Sequence, residues 1–277
     1  MVMRIRISHA TTYSYDTPPS LVTQVLRLTP RDHDAQHVIV WRIDLSEDCL
    51  LHQHEDAFGN IIHSFTAEGP FNELTVAVEG EVDIQDTDGL VRGAVERFPP
   101  EFYLRETPLT QVDTAIVDFA HAVRVGTQGD TLALLHALLT ALNREIAFDT
   151  DPTHAATTAA EAFSLKRGVC QDLTHIFVAA ARALDIPARY IGGHFRRADG
   201  VTLQDAGHAW AEAHVENLGW VGFDPTNGIC TTDAHVRVAA GLDYLGAAPV
   251  RGTRFGGAGE TLKVAVHVDQ ARQQAQT

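Results

Sequence analysis

Lys166-Arg167-Gly168-Val169-Cys170-Gln171-Asp172-Leu173-Thr174-His175-Ile176-Phe177 carries a turn, a thiol and the start of a helix in immediate succession. Leu173, Ile176, Phe177, Ala180 and Leu184 recur at the spacing of one helical face, and Asp185-Ile186-Pro187 ends the run. Cys170 therefore falls in the first turn, where unpaired backbone N–H groups and the positive end of the macrodipole favour an anion. A thiol attacks as its thiolate, and a helix N-terminus favours that form. Gly168, lacking a Cβ, lets another group approach the backbone closely. A lone helical cysteine is more often a small packing residue than a catalyst, so the case rests on what lies downstream.

Two later stretches supply what a thiolate needs. Ala206 to Val215 alternates like a half-buried strand, with His208, Trp210, Glu212 and His214 on one face. Gly219 to Gly228 reads as a short strand closed by the turn Asp224-Pro225-Thr226-Asn227-Gly228. Antiparallel neighbours of this kind bring Asp224 beside His208. In a nucleophilic triad the imidazole must reach the nucleophile, and a carboxylate must hold its tautomer and orientation. Cys170, His208 and Asp224 are thus the candidate catalytic set.

Rival chemistry is weaker. A zinc site from Cys170, His175 and His208 fails to converge, because five helical positions turn a side chain about 140° away. His52, His54 and His63 read as surface-strand residues without a fourth ligand. No metal and no cofactor is expected. Asp172 and Thr174 serve the first helical turn, Trp210 and Trp220 line an acyl pocket or, as strand aromatics do by default, fill the core, and Cys49 and Cys230 are packing residues.

With Gly168-Val169-Cys170-Gln171-Asp172-Leu173-Thr174-His175, Ile186 to Tyr190, His208-Ala209-Trp210 and Asp224 to Gly228 in this order, the chain resembles the bacterial transglutaminase-like superfamily. Tyr13 to Asp16, Leu26 to Arg31 and Phe58-Gly59-Asn60 resemble that family's N-terminal β-rich domain. Asp243-Tyr244 and Pro249 to Gly252 resemble its C-terminal segment. The resemblance implies a transglutaminase-like cysteine protease or transamidase with Cys170, His208 and Asp224 on the triad positions. Departures from the family pattern spare those three. Phe148 and His194 stand where tyrosine is usual, Leu242 where arginine is, and Asp185 where glycine ends the helix.

The length of 277 residues allows one large or two smaller domains with a real core. A net charge of −15 argues against nucleic acid and anionic membranes as partners. Three widely spaced cysteines form no disulfide framework, and the N-terminus has no apolar run of signal-peptide type. The expected compartment is the cytoplasm.

Along the chain, residues 1–97 read as an antiparallel β-sandwich, by alternation in Arg4 to Ile7, Val40 to Leu45 and Leu74 to Val78. Phe98-Pro99-Pro100-Glu101 marks a linker, and residues 98–268 read as the catalytic domain. There, Thr110 with Asp113, then Asp130, then Thr158 with Glu161 announce helix starts. Strands follow at Arg189 to Phe195, His208 to Val215, Trp220 to Asp224 and Leu262 to Val268. Helices followed by antiparallel strands make an α+β, papain-like or transglutaminase-like core. Gly252 to Gly259 lacks the residues of a phosphate loop and is expected as a flexible connector. Residues 269–277 are expected as a disordered tail.

The functional expectation is thiol-dependent acyl transfer at an amide bond through a thioester. The leading outcome is a peptidase or amidase. Transamidation to a protein or small-amine acceptor is the first alternative, and a catalytically silent binding module the second. The expected partner is a peptide or amide substrate.

Overall fold

The computed structural model describes residues 2–127 and 129–271. The N-terminal region comprises strands β1 (Val2–Ser14), β2 (Leu21–Thr29), β3 (Gln36–Leu45), β4 (His52–Glu55), β5 (Ile61–Glu68), β6 (Glu73–Gln85) and β7 (Leu90–Val91). β1 shows why alternation works here. Ile5 and Ile7 are buried, while Arg4 and Arg6 face the other way and reach Asp83 and Glu81 of neighbouring β6 at 2.7 and 2.6 Å. Val22, Leu26, Leu28 and Phe65, from the sheet of β2, β5 and β4, pack onto Leu74, Val76 and Val78 of β6. That is the expected antiparallel sandwich.

After a 3-10 turn at Pro100–Leu104 come α1 (Thr114–Arg124), α2 (Thr131–Glu145), β8 (Ala147–Phe148), α3 (Ala159–Leu165), β9 (Arg167–Gly168) and α4 (Cys170–Ala183). Their starts are set by local chemistry. Asp113 and Asp130 accept first-turn N–H groups, and Thr158 with Glu161 forms a capping box. Thr110 does not join Asp113 as a cap; its hydroxyl takes the Arg182 guanidinium at 2.8 Å.

The chain continues as β10 (Ala188–Phe195), β11 (Leu203–Gln204), β12 (His208–Val215), β13 (Gly219–Asp224), β14 (Ile229–Cys230), β15 (His235–Gly241), α5 (Tyr244–Ala247), β16 (Val250–Phe255) and β17 (Thr261–Gln270). A central antiparallel sheet runs β14-β13-β12-β10-β15, with β7 added on β13. α4 packs across β12 and β10, which gives the expected α+β core.

Three sequence expectations need correction. α4 is not buried on one face only. Every residue from Asp172 to Arg182 is buried, because α1, α2 and α3 cover the side that the sheet leaves open. Ile176 and Phe177 are 0% exposed, and each such side chain contributes about 2–3 kcal/mol. Similarly, β12 is no half-buried strand: Ala209 to Ala213 are all buried. The N-terminal region lies against the same sheet at β10 and β15. There the Asn60 side chain bonds the N–H and C=O of Ala240 at 2.8 Å each, and His194 meets His9 with ring centroids 5.6 Å apart.

The third correction concerns the C-terminal part of the 98–268 domain. β17 pairs with β1 from Ile5↔Gln270 to Ser14↔Thr261, and β16 pairs with β2. Residues 250–270 therefore complete the N-terminal sheets, although they follow the catalytic unit in sequence. Period-two alternation identifies a strand but not its partner. Gly252 to Phe255, expected as connector, lie in β16; Gly256, Gly257 and Gly259 follow it with φ of 74°, 73° and 63°. Asp269 and Gln270 belong to β17 and not to a tail, and residues 272–277 lie outside the described residues. No helix among the described residues is long and apolar enough to cross a membrane.

Candidate active site

Cys170 opens α4 as its first residue, after Val169 in extended conformation. As expected, Asp172 and Thr174 organise this turn. The Asp172 carboxylate accepts the Val169 N–H at 2.8 Å and the Thr153 hydroxyl at 2.7 Å, while the Thr174 hydroxyl donates to the Cys170 carbonyl at 2.7 Å. Gly168 is required by space: a Cβ there would lie 2.6 Å from the Asp172 Oδ2. Cys170 is half-buried and unpaired, as are Cys49 and Cys230.

β12 presents His208 at its first position, and β13 presents Asp224 at its last. The His208 Nε2 and Asp224 Oδ2 are 2.7 Å apart. The other ring nitrogen, Nδ1, is left free of Asp224, and the Cys170 thiol is near enough to raise the proton affinity of the imidazole. Burial alone would lower the pKa of His208. The Asp224 carboxylate overrides it by charge and hydrogen bond, and Cys170 adds to the effect, so the imidazole is held up at about 10. It carries its proton at neutral pH.

Asp224 is fully buried, and burial would raise its pKa. His208 and then His235 outweigh that and hold the carboxyl well below its usual range. Its Oδ1 accepts the N–H groups of Thr226 and Asn227 at 3.1 Å each, so the turn predicted after β13 also fixes the carboxylate. On Oδ2, the Asn227 Nδ2 donates at 2.6 Å and the His235 Nε2 lies at 3.1 Å. Asn227 Nδ2 also stands 3.5 Å from the His208 Nε2, but both are donors once His208 is protonated.

Sequence reasoning did not single out His235. One histidine among 15, opening an ordinary strand, carries no local signal. Tyr190 and Tyr244 figure in the sequence only as parts of family motifs, with no role in the site; they cluster with Cys170 beside Ala209 and Ala247. Burial raises both phenol pKa values, with the nearby thiol adding to the effect. His175 lies elsewhere: its Nε2 accepts the Tyr244 N–H at 3.0 Å, and burial pushes its pKa down to about 4. The Trp210 and Trp220 side chains are buried, as expected. Phe148 is 60% exposed, paired with Gly168 across the β8–β9 ladder.

Among the described residues, one group of potential metal ligands converges. Donor atoms of His208, Asp224 and His235 lie within 4.8 Å of one another. His235 Nδ1 already accepts the Thr232 N–H at 3.0 Å, so its Nε2 carries the proton and has no lone pair to offer. These residues fit a hydrogen-bonded chain, not a metal centre. The zinc set Cys170, His175 and His208 does not assemble, since the Nε2 lone pair of His175 is taken by Tyr244.

Residues 5–83 match the bacterial transglutaminase-like N-terminal region, and residues 118–225, which include all three candidate residues, match the transglutaminase-like superfamily. An uncharacterized protein of Mycobacterium leprae (strain TN) is 27% identical over 279 residues, spanning 96% of this chain and 98% of its own. An uncharacterized protein of Mycobacterium tuberculosis (strain ATCC 25618 / H37Rv) is 25% identical over 274 residues, spanning 90% and 87%. The crystal structure of "a Putative Cysteine Protease from Cytophaga hutchinsonii" shares the fold, with a TM-score of 0.78 at 17% identity over 100% of this chain and 93% of that one. By both matched regions, the chain belongs to the transglutaminase-like superfamily, with that superfamily's bacterial N-terminal region ahead of the core.

Proposed function

We propose that this chain is a thiol-dependent enzyme that cleaves amide bonds through a thioester, with Cys170 as nucleophile, His208 as proton carrier and Asp224 as the orienting carboxylate. The observation that carries the reading is Asp224 held 2.7 Å from His208, with Cys170 at the start of α4 near enough to raise the His208 pKa. The Cys170 proton resides on His208 Nδ1 in a thiolate–imidazolium pair, and the thiolate adds to the amide carbonyl carbon. As the first helical residue, Cys170 has an N–H without an intrahelical acceptor, and it faces the developing oxyanion. One such donor is typically worth about 3–4 kcal/mol. The C–N bond then breaks, and the Nδ1 proton leaves with the amine. Water adds to the thioester, gives a proton to Nδ1, and releases the carboxylic acid with the thiol restored.

Everything up to the thioester is common to hydrolysis and transamidation. Water needs no groove of its own, so hydrolysis is the proposed outcome for a peptide or amide substrate. Three unpaired cysteines fit a reducing compartment such as the cytoplasm.

The test is to offer peptide amides with and without a primary amine and to weigh the products. Cleaved or deamidated product from the wild type, and none from Cys170→Ala, supports the reading. Amine-linked product would move it to transamidation. Equal, slow iodoacetamide labelling of Cys170 in wild type and His208→Ala, with no turnover, would leave a silent binding module.

A further inference from the structure

We infer that His235 is a positioning residue of this site: a neutral imidazole that donates to Asp224 and thereby aims His208 at the thiol. The inference rests on the acyl-transfer reading of Cys170, His208 and Asp224. Its geometry stands apart from that reading, and can be measured without a substrate.

The tautomer of His235 is dictated by the backbone. Its Nδ1 accepts the Thr232 N–H at 3.0 Å, which leaves the ring proton on Nε2, and that nitrogen lies 3.1 Å from the Asp224 Oδ2. Burial is the largest influence on this ring and lowers its pKa. The Asp224 carboxylate opposes burial, and the His208 charge reinforces it. The groups facing His235 are therefore Asp224, His208 and the Thr232 N–H; burial and the His208 charge outweigh the carboxylate, and the ring's pKa is lowered. A neutral donor suits a carboxylate that must keep its charge for His208. A second imidazolium would compete for that charge and repel the first.

Packing fixes the rest. Phe195 lies against both rings, with centroids 4.7 Å from His235 and 5.1 Å from His208, and Trp210 meets His235 edge-on at 5.2 Å. With the turn N–H groups on Oδ1 and His235 and Asn227 on Oδ2, the carboxylate has one orientation left to present to His208. Residue 235 begins a strand that pairs with β10, so the ring is anchored from the sheet rather than from the turn.

Two substitutions separate donation from packing. His235→Phe keeps a ring between Phe195 and Trp210 but removes the donor. His235→Gln removes the ring but can still donate to Asp224. A charge-assisted hydrogen bond of this kind corresponds to roughly 10- to 100-fold in rate. The expected result is a loss of that size in kcat for His235→Phe on a peptide amide, with KM unchanged, and recovery to within a few-fold in His235→Gln. Equal losses in both variants, or losses that follow thermal stability alone, would overturn the inference. Should His235→Phe fail to fold, 15N spectra of wild-type imidazoles decide. The inference requires His235 to be the neutral Nε2–H tautomer near neutral pH, and an Nδ1–H tautomer or an imidazolium there would sink it. Absence of turnover in the wild type would instead count against the proposed function.

Discussion

Replacing Glu212 by Gln tests the electrostatics of the layer that supports the site. Glu212 lies on β12, four residues after His208, and is fully buried. Its carboxylate takes the Arg189 Nε at 2.7 Å, and the Arg237 Nε and second guanidinium nitrogen at 2.8 and 3.2 Å. Arg189 also forks onto Glu96 at 2.7 and 2.9 Å and stacks 3.9 Å from the Trp220 ring centroid. Burial would raise the pKa of Glu212, but Arg237 and Arg189 override it and bring it from 4.5 down to about 2. A carboxylate held lower in the folded state stabilises fully above its unfolded value, and the gain is lost as pH falls through the folded one. From 4.5 to about 2, at 1.36 kcal/mol per pH unit, the gain at neutral pH is about 3 kcal/mol. Breaking a buried pair by neutralising one partner costs roughly 3–5 kcal/mol, which agrees. Gln keeps the shape and leaves one arginine charge uncompensated. Urea unfolding at pH 7 should show Glu212→Gln less stable by about 3–4 kcal/mol with an unchanged denaturant slope. The gap to wild type should narrow steadily below pH 4.5. A loss under about 1 kcal/mol, or a gap that ignores pH, would refute the reasoning.

Gly168→Ala should push Asp172 off the Val169 N–H, since the new Cβ would lie 2.6–2.9 Å from the carboxylate group. The expected cost is about 1–3 kcal/mol together with slower alkylation of Cys170; unchanged labelling and melting would count against it. Burial lowers His9 and His175 to about 4 and His194, with help from His9, to about 3. These rings stabilise the fold in full above about pH 6.5, and the contribution is lost as pH falls towards those folded values. Between pH 7 and pH 5 each should cost about 1–2 kcal/mol, visible as a lower urea midpoint; an unmoved midpoint would contradict the burial argument. Arg182 donates to the carbonyls of Tyr103, Ala188 and Leu242 and to the Thr110 hydroxyl at 2.8–2.9 Å. Arg182→Met should leave these acceptors unpaired and lower Tm by roughly 6–12 °C, measured by calorimetry; a shift of 1–2 °C would show that water replaces the guanidinium.

Much of this molecule is written locally. Asp113, Asp130 and the Thr158–Glu161 pair cap their helices through bonds spanning two or three residues, so adjacent letters reveal them. Cys170, His208 and Asp224 were legible because each sits at the end of an element, where turn chemistry marks the boundary. What escaped depends on distant partners. Glu212 and Arg189 look like the polar face of an exposed sheet until Arg237 and Glu96 close over them. Gly252 looks like a loop residue, yet a Cβ there would lie 2.5 Å from the Thr23 carbonyl oxygen, so the strand needs glycine for close pairing. Asp185 ends α4 at a φ of 60°, where the family more often has glycine; the helix stops in the same way at some cost in strain.

The ladder between β1 and β17 bears on how the chain comes off the ribosome. β1 is made first, yet one of its two neighbours is synthesised only after residue 260. The helices and central sheet can therefore condense while the sandwich that will cover them still lacks an edge. Such late, long-range closure slows folding and leaves Ile5 and Ile7 awaiting Val266 and Val268. Nascent chains stalled before residue 250 should accordingly bind holdase chaperones through this region, whereas chains released after residue 270 should not.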